Sequence, residues 1–383
     1  MNILIYTHHY PVPPDLHIVP DTKVVHYFVR ELIRKGHSVR VFYLYYTPVK
    51  GILHNRFRDI LPTAHDYEYE GVPVHLVKYQ MLTPRRSHPQ KFQARIINGM
   101  IRKWKAGLGW KPDKVYIHFP TTFACLTETL ADGVPTLGEC HNMDVEVLKK
   151  DEKDPDVIGF MRRIKHLGYR NKRVYEYFTK VCGFSPVPVY SGIDDYLLAE
   201  PALIESKKGL RPPVMRIAYV GQLIPLKNVD TLIRAFQQLP FTATLKIIGD
   251  GKEMEALRTL AAGDERITFC GWVKRDEAVA ALRDADVFVM VSSPETYGLV
   301  YLEAMAQGCV TVASRGEGFD GLIVHGENGY LATPGSVSEV KEILCHIHDM
   351  STEEKAKILE GGYRLAESLT ESRTTDMFLE ANS

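Results

Sequence analysis

Short apolar segments alternate with segments of helical periodicity along most of this chain, and this alternation restricts its fold more than any other feature. Ile3–Tyr6 has the pattern of a buried strand, Val24–Lys35 that of an amphipathic helix, and Ser38–Tyr45 that of the next strand. A strand, a crossover helix and a second strand form a βαβ unit, whose strands pair in parallel. The sequence therefore predicts an α/β protein with parallel sheets.

The same alternation starts again in the second half of the chain, after a strand predicted at Val187–Tyr190. It predicts strands at Arg216–Val220, Thr244–Ile248, Ile267–Cys270, Val287–Val291 and Val310–Ala313, with helices at Asp230–Gln238, Glu253–Ala262, Asp276–Arg283 and Leu299–Gln307. Since 383 residues exceed one ordinary core, we expect two doubly wound, Rossmann-like domains, residues 1–188 and 189–367, facing across a cleft. The sequence pattern also predicts a helix within about 368–383.

Composition narrows the class of protein. Lys and Arg together number 47, as do Asp and Glu, so no overall field attracts nucleic acid, and we predict no nucleic-acid partner. The N-terminal residues have no basic segment followed by an apolar one, and no stretch is apolar for the ~20 residues of a membrane span. A cytoplasmic protein is expected. The six cysteines form no Cys-x-x-Cys pair and are interpreted as small buried hydrophobic residues rather than metal ligands.

The most informative segment runs from Ser292 to Gly308. Glu295 lies in a loop after a predicted strand, Gly298 permits a close backbone approach, and a helix follows whose first amides suit a phosphate. Glu303 lies about one and a half turns into that helix. The sequence spacing of the two glutamates argues against a facing glycosidase pair, so each is interpreted as binding hydroxyl groups. Taken alone, both could also be ordinary surface residues.

Two further loops follow strands of the same domain. Gly221 and Gln222 begin a turn that leads to Lys227 just before a helix, where a lysine can neutralise a diphosphate or simply be solvated. A second glycine-rich loop starts at Ser314. Because the carboxyl ends of parallel strands lie at one edge of a sheet, the three loops are expected to converge on one anion site.

Some motifs have simpler interpretations. Gly316-x-Gly318-x-x-Gly321 matches a dinucleotide fingerprint, but it leads into the turn at residues 325–329 instead of a long helix. The Asp-x-Asp pairs at residues 154–156 and 284–286 have no further ligands nearby in the sequence. We therefore predict neither a nicotinamide cofactor nor a metal.

The first half offers fewer candidates. His141 follows a strand predicted at Thr136–Glu139, where it is either a cleft residue or a structural histidine. A helix predicted at Lys91–Ala106 belongs to a basic, aromatic stretch. That stretch could touch anionic lipid at the inner membrane face, although a solvated helix face is favoured. Its residues are Arg85, Arg86, Lys91, Arg95, Arg102, Lys103 and Lys105, with Trp104 and Trp110.

These motifs together resemble the retaining glycosyltransferases of family 4, which have the GT-B fold. The resemblance rests on Glu295-x7-Glu303 followed by Ala-Met-Ala-Gln-Gly, and on Gly221-x-Leu223-x-Pro225-x-Lys227. It also includes the Gly-Asp-Gly turn at 249–251, the segment 269–273 and the turn at 325–329. It is strong over about residues 190–340 and weaker in the first half, where residues 36–39, 112–113 and 191–194 still fit.

The resemblance implies a role for each matching residue. Lys227 would stabilise the departing diphosphate, Glu295 would contact hydroxyls of the donor sugar, and His141 would lie near the reacting centre. Glu303 would hold the ribose, and Val273 would present backbone groups to the base. The implied donor-binding residues are Gly221, Gln222, Lys227, Val273, Glu295, Gly298, Leu299, Val300 and Glu303. Thr22 and His141 are the implied acceptor-binding residues. The resemblance also implies that the helix within about 368–383 packs back onto the first domain.

Two positions depart from the family pattern. Gln222 stands where an arginine is usual, so one charged contact to the diphosphate is lost unless another residue such as Arg315 replaces it. Asp21-Thr22 replaces a Gly-Gly pair, and an aspartate there repels phosphate.

The expected function is transfer of a hexose-type sugar from a nucleotide-diphosphate sugar, with uridine favoured over guanosine. The acceptor is a glycan, a lipid-linked molecule or a small molecule, and the implied use is polysaccharide biosynthesis. The alternatives are a nucleotide-sugar 2-epimerase or hydrolase on the same fold, or a non-catalytic member that binds a nucleotide sugar.

Overall fold

A computed structural model describes residues 1–13, 23–48, 61–81, 87–130, 133–150, 154–209 and 212–381. The chain forms two compact units. The first unit comprises Met1–Arg170, Val174–Val189 and Thr375–Ser383; the second comprises Asn171–Arg173 and Tyr190–Thr374.

The first unit is built on one sheet in the order β3-β4-β2-β1-β5-β6-β7-β8. All its strand pairs are parallel except β3 with β4. The strands are β1 Asn2–Thr7, β2 Ser38–Pro48, β3 Thr63–Tyr69, β4 Val72–Met81, β5 Lys114–His118, β6 Thr136–Cys140, β7 His166–Tyr169 and β8 Val187–Pro188. The helices are α1 Val24–Arg34, α2 Lys91–Ala106, α3 Asn142–Lys150, α4 Pro155–Arg163 and α5 Lys172–Lys180.

The centre of this sheet is apolar on both faces. Residues Ile3 to Tyr6 of β1 are all fully buried, because β1 pairs with β2 on one side and β5 on the other and helices cover both faces. Such a strand is a continuous apolar run rather than an alternating one. This explains why β1 could be predicted directly.

The hairpin of β3 and β4 was not predicted. It is closed by Glu70 and Gly71, which both have positive φ (47° and 80°), as a tight hairpin turn requires. Most of β3 is exposed at the edge of the sheet, so its sequence is polar and has no apolar periodicity to detect.

The second unit contains a six-stranded sheet that is parallel throughout, in the order β11-β10-β9-β12-β13-β14. Its strands are β9 Met215–Val220, β10 Ala243–Ile248, β11 Ile267–Gly271, β12 Val287–Val289, β13 Val310–Ser314 and β14 Tyr330–Ala332. Its helices are α6 Pro201–Lys208, α7 Val229–Gln237, α8 Met254–Leu260, α9 Arg275–Asp284, α10 Leu299–Ala306, α11 Val337–Asp349 and α12 Thr352–Ser368. Helix α13, Glu371–Ala381, begins in the second unit and ends in the first.

The predicted parallel α/β architecture is confirmed for both sheets, with the antiparallel edge strand β3 as the exception. In the second unit every predicted strand and helix is present within three residues of its expected ends. Strand order reverses between β9 and β12, which lie side by side although two strands separate them in sequence. Such a reversal point is where open α/β sheets bind ligands.

The cysteines fit their predicted burial only in part. Cys140 and Cys309 are buried, but Cys270 is exposed. Cys270 lies on β11, at the edge of the sheet, where one side of the strand has no neighbour.

Candidate functional site

At the carboxyl edge of the second sheet, the loop after β9 and the loop after β10 contact each other through their backbones. Gly221, after β9, donates its amide to the carbonyl of Ile248 at 3.0 Å, and Leu223 donates to that of Asp250 at 2.9 Å. A Cβ on Gly249 would lie 1.8 Å from the Gly221 carbonyl oxygen, and Gly249 has φ +134°. Only glycine fits there, so the Gly-Asp-Gly turn fixes the position of the Gly221 loop.

Lys227 ends a short 3-10 turn, Pro225–Lys227, and Asn228 follows in the left-handed conformation at the start of α7. The side chain of Asn228 donates to the carbonyl of Val291 at 2.8 Å, and the amide of Ser293 donates to that of Leu226 at 2.7 Å. The Lys227 turn is therefore joined to the loop that follows β12.

Lys227 and Glu295 meet in an ion pair. Lys227 Nζ donates to Glu295 Oε2 at 2.7 Å, and the two side chains are only 21% and 12% exposed. The Ser292 hydroxyl donates to the same oxygen at 3.0 Å, and the Thr296 amide donates to Oε1 at 3.1 Å. Three donors thus hold the carboxylate in one orientation.

The loop that carries Glu295 is supported by Glu317, a residue to which the sequence assigned no role. Glu317 Oε2 accepts from the Glu295 amide at 3.0 Å, and Oε1 accepts from the Ser293 hydroxyl at 2.8 Å. Gly318 packs so closely that a Cβ there would lie 2.5 Å from the Tyr297 carbonyl oxygen. Gly318, the middle glycine of the apparent dinucleotide fingerprint, serves this contact, and no helix follows the fingerprint before β14.

Helix α10 presents its amino end beside this loop. Gly298 caps the helix with φ +87°, and a Cβ there would lie 2.5 Å from the ring of Tyr301. The amides of Gly298, Leu299 and Val300 have no acceptor within the part of the chain that the structure describes. Free amides at the positive end of a helix dipole favour an anion.

Glu303, also on α10, pairs with Arg275, which the sequence did not single out. Arg275 Nη2 donates to Glu303 Oε1 at 2.9 Å, and its Nη1 donates to Asp194 Oδ2 at 2.5 Å. Val273 follows β11 and is half-buried. The resemblance did not draw attention to Arg275 because both of its partners are distant in sequence.

Gln222 is exposed, while its carbonyl accepts from the Tyr219 hydroxyl at 2.8 Å. Arg315 is the residue expected to replace the arginine that is missing at position 222. Its guanidinium donates to the Leu331 carbonyl at 2.8 Å and lies 3.8 Å from the carboxylate of Glu339. Arg315 is thereby engaged with β14 and α11, so it is a poor replacement.

His141 lies in the first unit, at the end of β6. Its ring stacks on Phe119 with centroids 4.0 Å apart, and its Nε2 is 3.3 Å from Glu139 Oε1. The guanidinium of Arg170 contacts the same carboxylate. His141 is almost fully buried. Thr22, the other implied acceptor residue, lies outside the described residues, as do Asp21, Arg85 and Arg86.

Burial keeps two neighbouring histidines neutral. It lowers the pKa of His118 well below 6.5, and the charges of His141 and Arg170 lower it further. Burial likewise lowers the pKa of His8. The Thr7 hydroxyl donates to the His9 carbonyl at 3.1 Å and lies 3.0 Å from His118 Nδ1. The Thr7 hydroxyl can donate either to that carbonyl or to Nδ1, according to the tautomer of the neutral His118 ring.

One group of metal-compatible side chains occurs within the described residues: His118, Glu139 and His141. The contact of Arg170 with Glu139 places a positive charge where a metal would bind, which disfavours a cation. Of the two Asp-x-Asp pairs, Asp154 caps α4 and Asp286 pairs with Arg216 at 2.8 Å. Each of these aspartates thus has a structural partner.

Known proteins resemble this chain in sequence and in fold. Residues 215–349 match the family described as Glycosyl transferases group 1. The sulfoquinovosyl transferase of Arabidopsis thaliana is 37% identical over 142 residues, which are 36% of this chain and 28% of that protein. The lipopolysaccharide core biosynthesis glycosyltransferase LpsE of Rhizobium meliloti (strain 1021) is 33% identical over 181 residues, which are 46% of this chain and 48% of that protein. The chain thus matches about half or less of the length of these relatives.

Among solved structures, HepE of Anabaena in complex with UDP has a TM-score of 0.67 at 18% identity, over 99% of both chains. No helix of the described residues is long and apolar enough to cross a membrane. The predicted fold class is confirmed: the chain has the GT-B fold, and residues 215–349 of its second unit are similar to the glycosyl transferases group 1 family.

Proposed function

We propose that this protein is a retaining glycosyltransferase of family 4 that transfers a hexose-type sugar from a nucleotide-diphosphate sugar. The observation that carries the proposal is the Lys227–Glu295 ion pair beside the free amides of α10. This arrangement offers positive charge for a diphosphate and a carboxylate for sugar hydroxyls within one set of joined loops.

In this proposal the donor lies along the carboxyl edge of the second sheet. The diphosphate contacts Lys227 and the amides of Gly298, Leu299 and Val300, because a lysine and a helix amino end both favour anions. Glu295 accepts hydrogen bonds from the sugar. Glu303 accepts from the ribose, and the backbone of Val273 faces the base.

The proposed reaction replaces one bond at the anomeric carbon by another on the same face of the sugar. The acceptor oxygen bonds to that carbon as its bond to the diphosphate oxygen breaks, and the acceptor proton passes to the departing phosphate. Lys227 and the α10 amides stabilise the charge that develops on the diphosphate. The first unit binds the acceptor, with His141 near the reacting centre.

A uridine donor is favoured. HepE, whose GT-B fold this chain shares over 99% of its length, was solved with UDP. For the acceptor, the relatives named for a sulfoquinovosyl transfer and for lipopolysaccharide core biosynthesis support a glycan or lipid-linked molecule. We propose that no metal takes part, because lysine and amide donors supply the charge that a metal otherwise would.

We also propose that the protein is cytoplasmic and touches the inner membrane face through α2. Phe92 and Ile96 are exposed on this helix (43% and 36%), next to the exposed Arg95. Apolar and basic side chains together favour an anionic lipid surface. Cosedimentation with phosphatidylglycerol vesicles, lost on Phe92→Ser, would support the contact; equal sedimentation of both proteins would exclude it.

Calorimetry without metal tests the donor site. UDP, GDP, ADP, TDP and NADH are titrated into the protein in EDTA. We expect one nucleoside diphosphate to bind, with UDP favoured, and Glu303→Ala to weaken it. Binding of NADH alone would identify a dinucleotide site instead. If none of the five compounds bound, a donor site would be excluded.

Activity and stereochemistry need a second assay. Release of the nucleoside diphosphate from the matching sugar donor is measured with candidate glycan acceptors in EDTA, and proton NMR identifies the anomer formed. Full loss of activity in EDTA, restored by Mn²⁺, would contradict the metal-free proposal. A product of inverted configuration would contradict retention, and sugar conversion without any acceptor would indicate an epimerase or hydrolase.

A further inference from the structure

Arg275 joins two carboxylates that are far apart in sequence. It is the first residue of α9, and its two terminal nitrogens donate to Asp194 and to Glu303. Asp194 is 81 residues away and almost fully buried, whereas Glu303 is 28 residues away. The Arg275 side chain is 38% exposed, and its hydrogen bond to Asp194 is more buried than its hydrogen bond to Glu303.

The pairing leaves part of the Glu303 carboxylate available. Arg275 occupies Oε1, while Oε2 has no donor in the described part of the chain. A glutamate without a partner samples several rotamers, each of which points the carboxylate differently. Because the planar guanidinium is held by Asp194, it restricts Glu303 to the orientation in which Oε2 remains open.

We propose that Arg275 is a positioning residue that presets Glu303 for the ribose diol and so makes the donor site selective for ribonucleoside over 2′-deoxyribonucleoside diphosphates. The inference rests on the donor site proposed above. A carboxylate that is already oriented accepts two ribose hydroxyls without losing further side-chain freedom. Removal of Arg275 also leaves the charges of Asp194 and Glu303 side by side, and their repulsion turns the mobile Glu303 away from the sugar.

A comparison of UDP with 2′-deoxy-UDP distinguishes this positioning role from a general contribution of Arg275 to donor binding. UDP and 2′-deoxy-UDP are titrated calorimetrically into the wild-type protein and into Arg275→Ala. We expect the wild type to prefer UDP by about tenfold, the effect of one hydrogen bond to a charged acceptor. In Arg275→Ala this preference should fall to about twofold or less, because UDP loses the contacts of both ribose hydroxyls whereas 2′-deoxy-UDP loses only that of its 3′-hydroxyl.

Further variants test the same coupling. Glu303→Gln should also reduce the preference, and adding Arg275→Ala to it should cause little further loss, because both changes act on one contact. Arg275→Lys keeps the positive charge but lacks the two guanidinium nitrogens that contact Asp194 and Glu303. It should therefore retain only part of the preference for UDP. Asp194→Asn removes the anchor and should have an intermediate effect. Arg234→Ala, which removes an equal charge from an exposed position on α7, should leave the preference unchanged.

The outcomes are distinct. Equal weakening of UDP and 2′-deoxy-UDP by Arg275→Ala would mean that Arg275 only ties two segments together, and unchanged binding of both would remove it from the site; either result overturns the inference. If Arg275→Ala does not fold, Arg275→Lys and Asp194→Asn carry the same comparison. If UDP does not bind the wild type, GDP and 2′-deoxy-GDP are titrated instead. If no member of either pair binds, the proposed donor site itself is overturned.

Discussion

Lys227 Nζ donates a 2.7 Å hydrogen bond to Glu295 Oε2, so the cation assigned to the diphosphate is already neutralised by the carboxylate assigned to the sugar. Glu295 keeps two other donors, from Ser292 and Thr296, if the lysine moves. Donor binding must therefore draw Lys227 from Glu295 or share it between two anions. The charge of Glu295 therefore weakens binding of the free nucleotide, because it competes for Lys227, whereas sugar transfer requires that charge.

Glu295→Gln should have opposite effects on nucleotide affinity and on turnover. With the competing charge removed, UDP should bind about three- to tenfold more tightly, which corresponds to roughly 0.7–1.4 kcal/mol. Turnover should fall at least about a hundredfold, because the contact to the sugar loses its charge. Lys227→Ala is the matched comparison and should weaken UDP binding and turnover together. Calorimetry and initial rates measure both; weaker UDP binding by Glu295→Gln would contradict the competition.

Gln222→Arg should tighten binding of the nucleoside diphosphate. Gln222 is exposed, and its backbone carbonyl keeps the bond from Tyr219 whatever the side chain. Replacing a neutral donor by a charged one adds about 1 kcal/mol, or roughly fivefold in affinity. The gain should shrink as salt rises. Unchanged affinity at low salt would show that residue 222 does not face the phosphates.

Gly249→Ala should disrupt the donor site through its scaffold. The added methyl group would meet the Gly221 carbonyl oxygen, a backbone atom that cannot turn aside. We expect a loss of about 3 kcal/mol in the free energy of unfolding, measured with urea, together with weaker UDP binding. Gly209→Ala is the control, because no atom of the described residues lies within 4 Å of its added Cβ, and it should change stability by less than about 0.5 kcal/mol. Equal stability of the two variants would contradict the close fit.

The buried histidines should make the first unit sensitive to acid. His118 and His8 have a pKa well below 6.5 in the folded protein, chiefly because burial disfavours the charged imidazole. The unfolded chain binds protons near pH 6.5, so stability is complete above that pH and is lost as the pH falls below it. Each histidine contributes up to about 1.4 kcal/mol per pH unit.

Urea unfolding at pH 7.5 and 5.5 measures this effect. Tryptophan fluorescence reports mainly on the first unit, because Trp104 and Trp110 belong to it while Trp272 is 75% exposed. His118→Gln removes the imidazole that the unfolded chain protonates, so it should lose less stability on acidification than the wild type by about 1 kcal/mol. An identical loss in both proteins would show that His118 does not remain neutral in the folded state.

Sequence predicted those parts of the fold whose signal is local. A buried parallel strand such as β1 is an apolar run, and the motifs around Lys227 and Glu295 mark their loops directly. The edge strand β3 carried no such signal, because exposed side chains need not be apolar. Arg275 and Glu317 were missed for another reason: each acts on a partner more than twenty residues away. Nothing in the local sequence distinguishes them from solvated charges.

The first unit includes Thr375–Ser383, and this has a consequence for how the protein is synthesised. Phe378 packs against Phe28 and Tyr116, with ring centroids 4.8 and 5.1 Å apart, and Asp376 pairs with Lys35 at 2.9 Å. These partners leave the ribosome early, whereas Phe378 follows only after the whole second unit. Until then its contacts with Phe28 and Tyr116 cannot form, so the first unit completes its core only after the second unit has been translated.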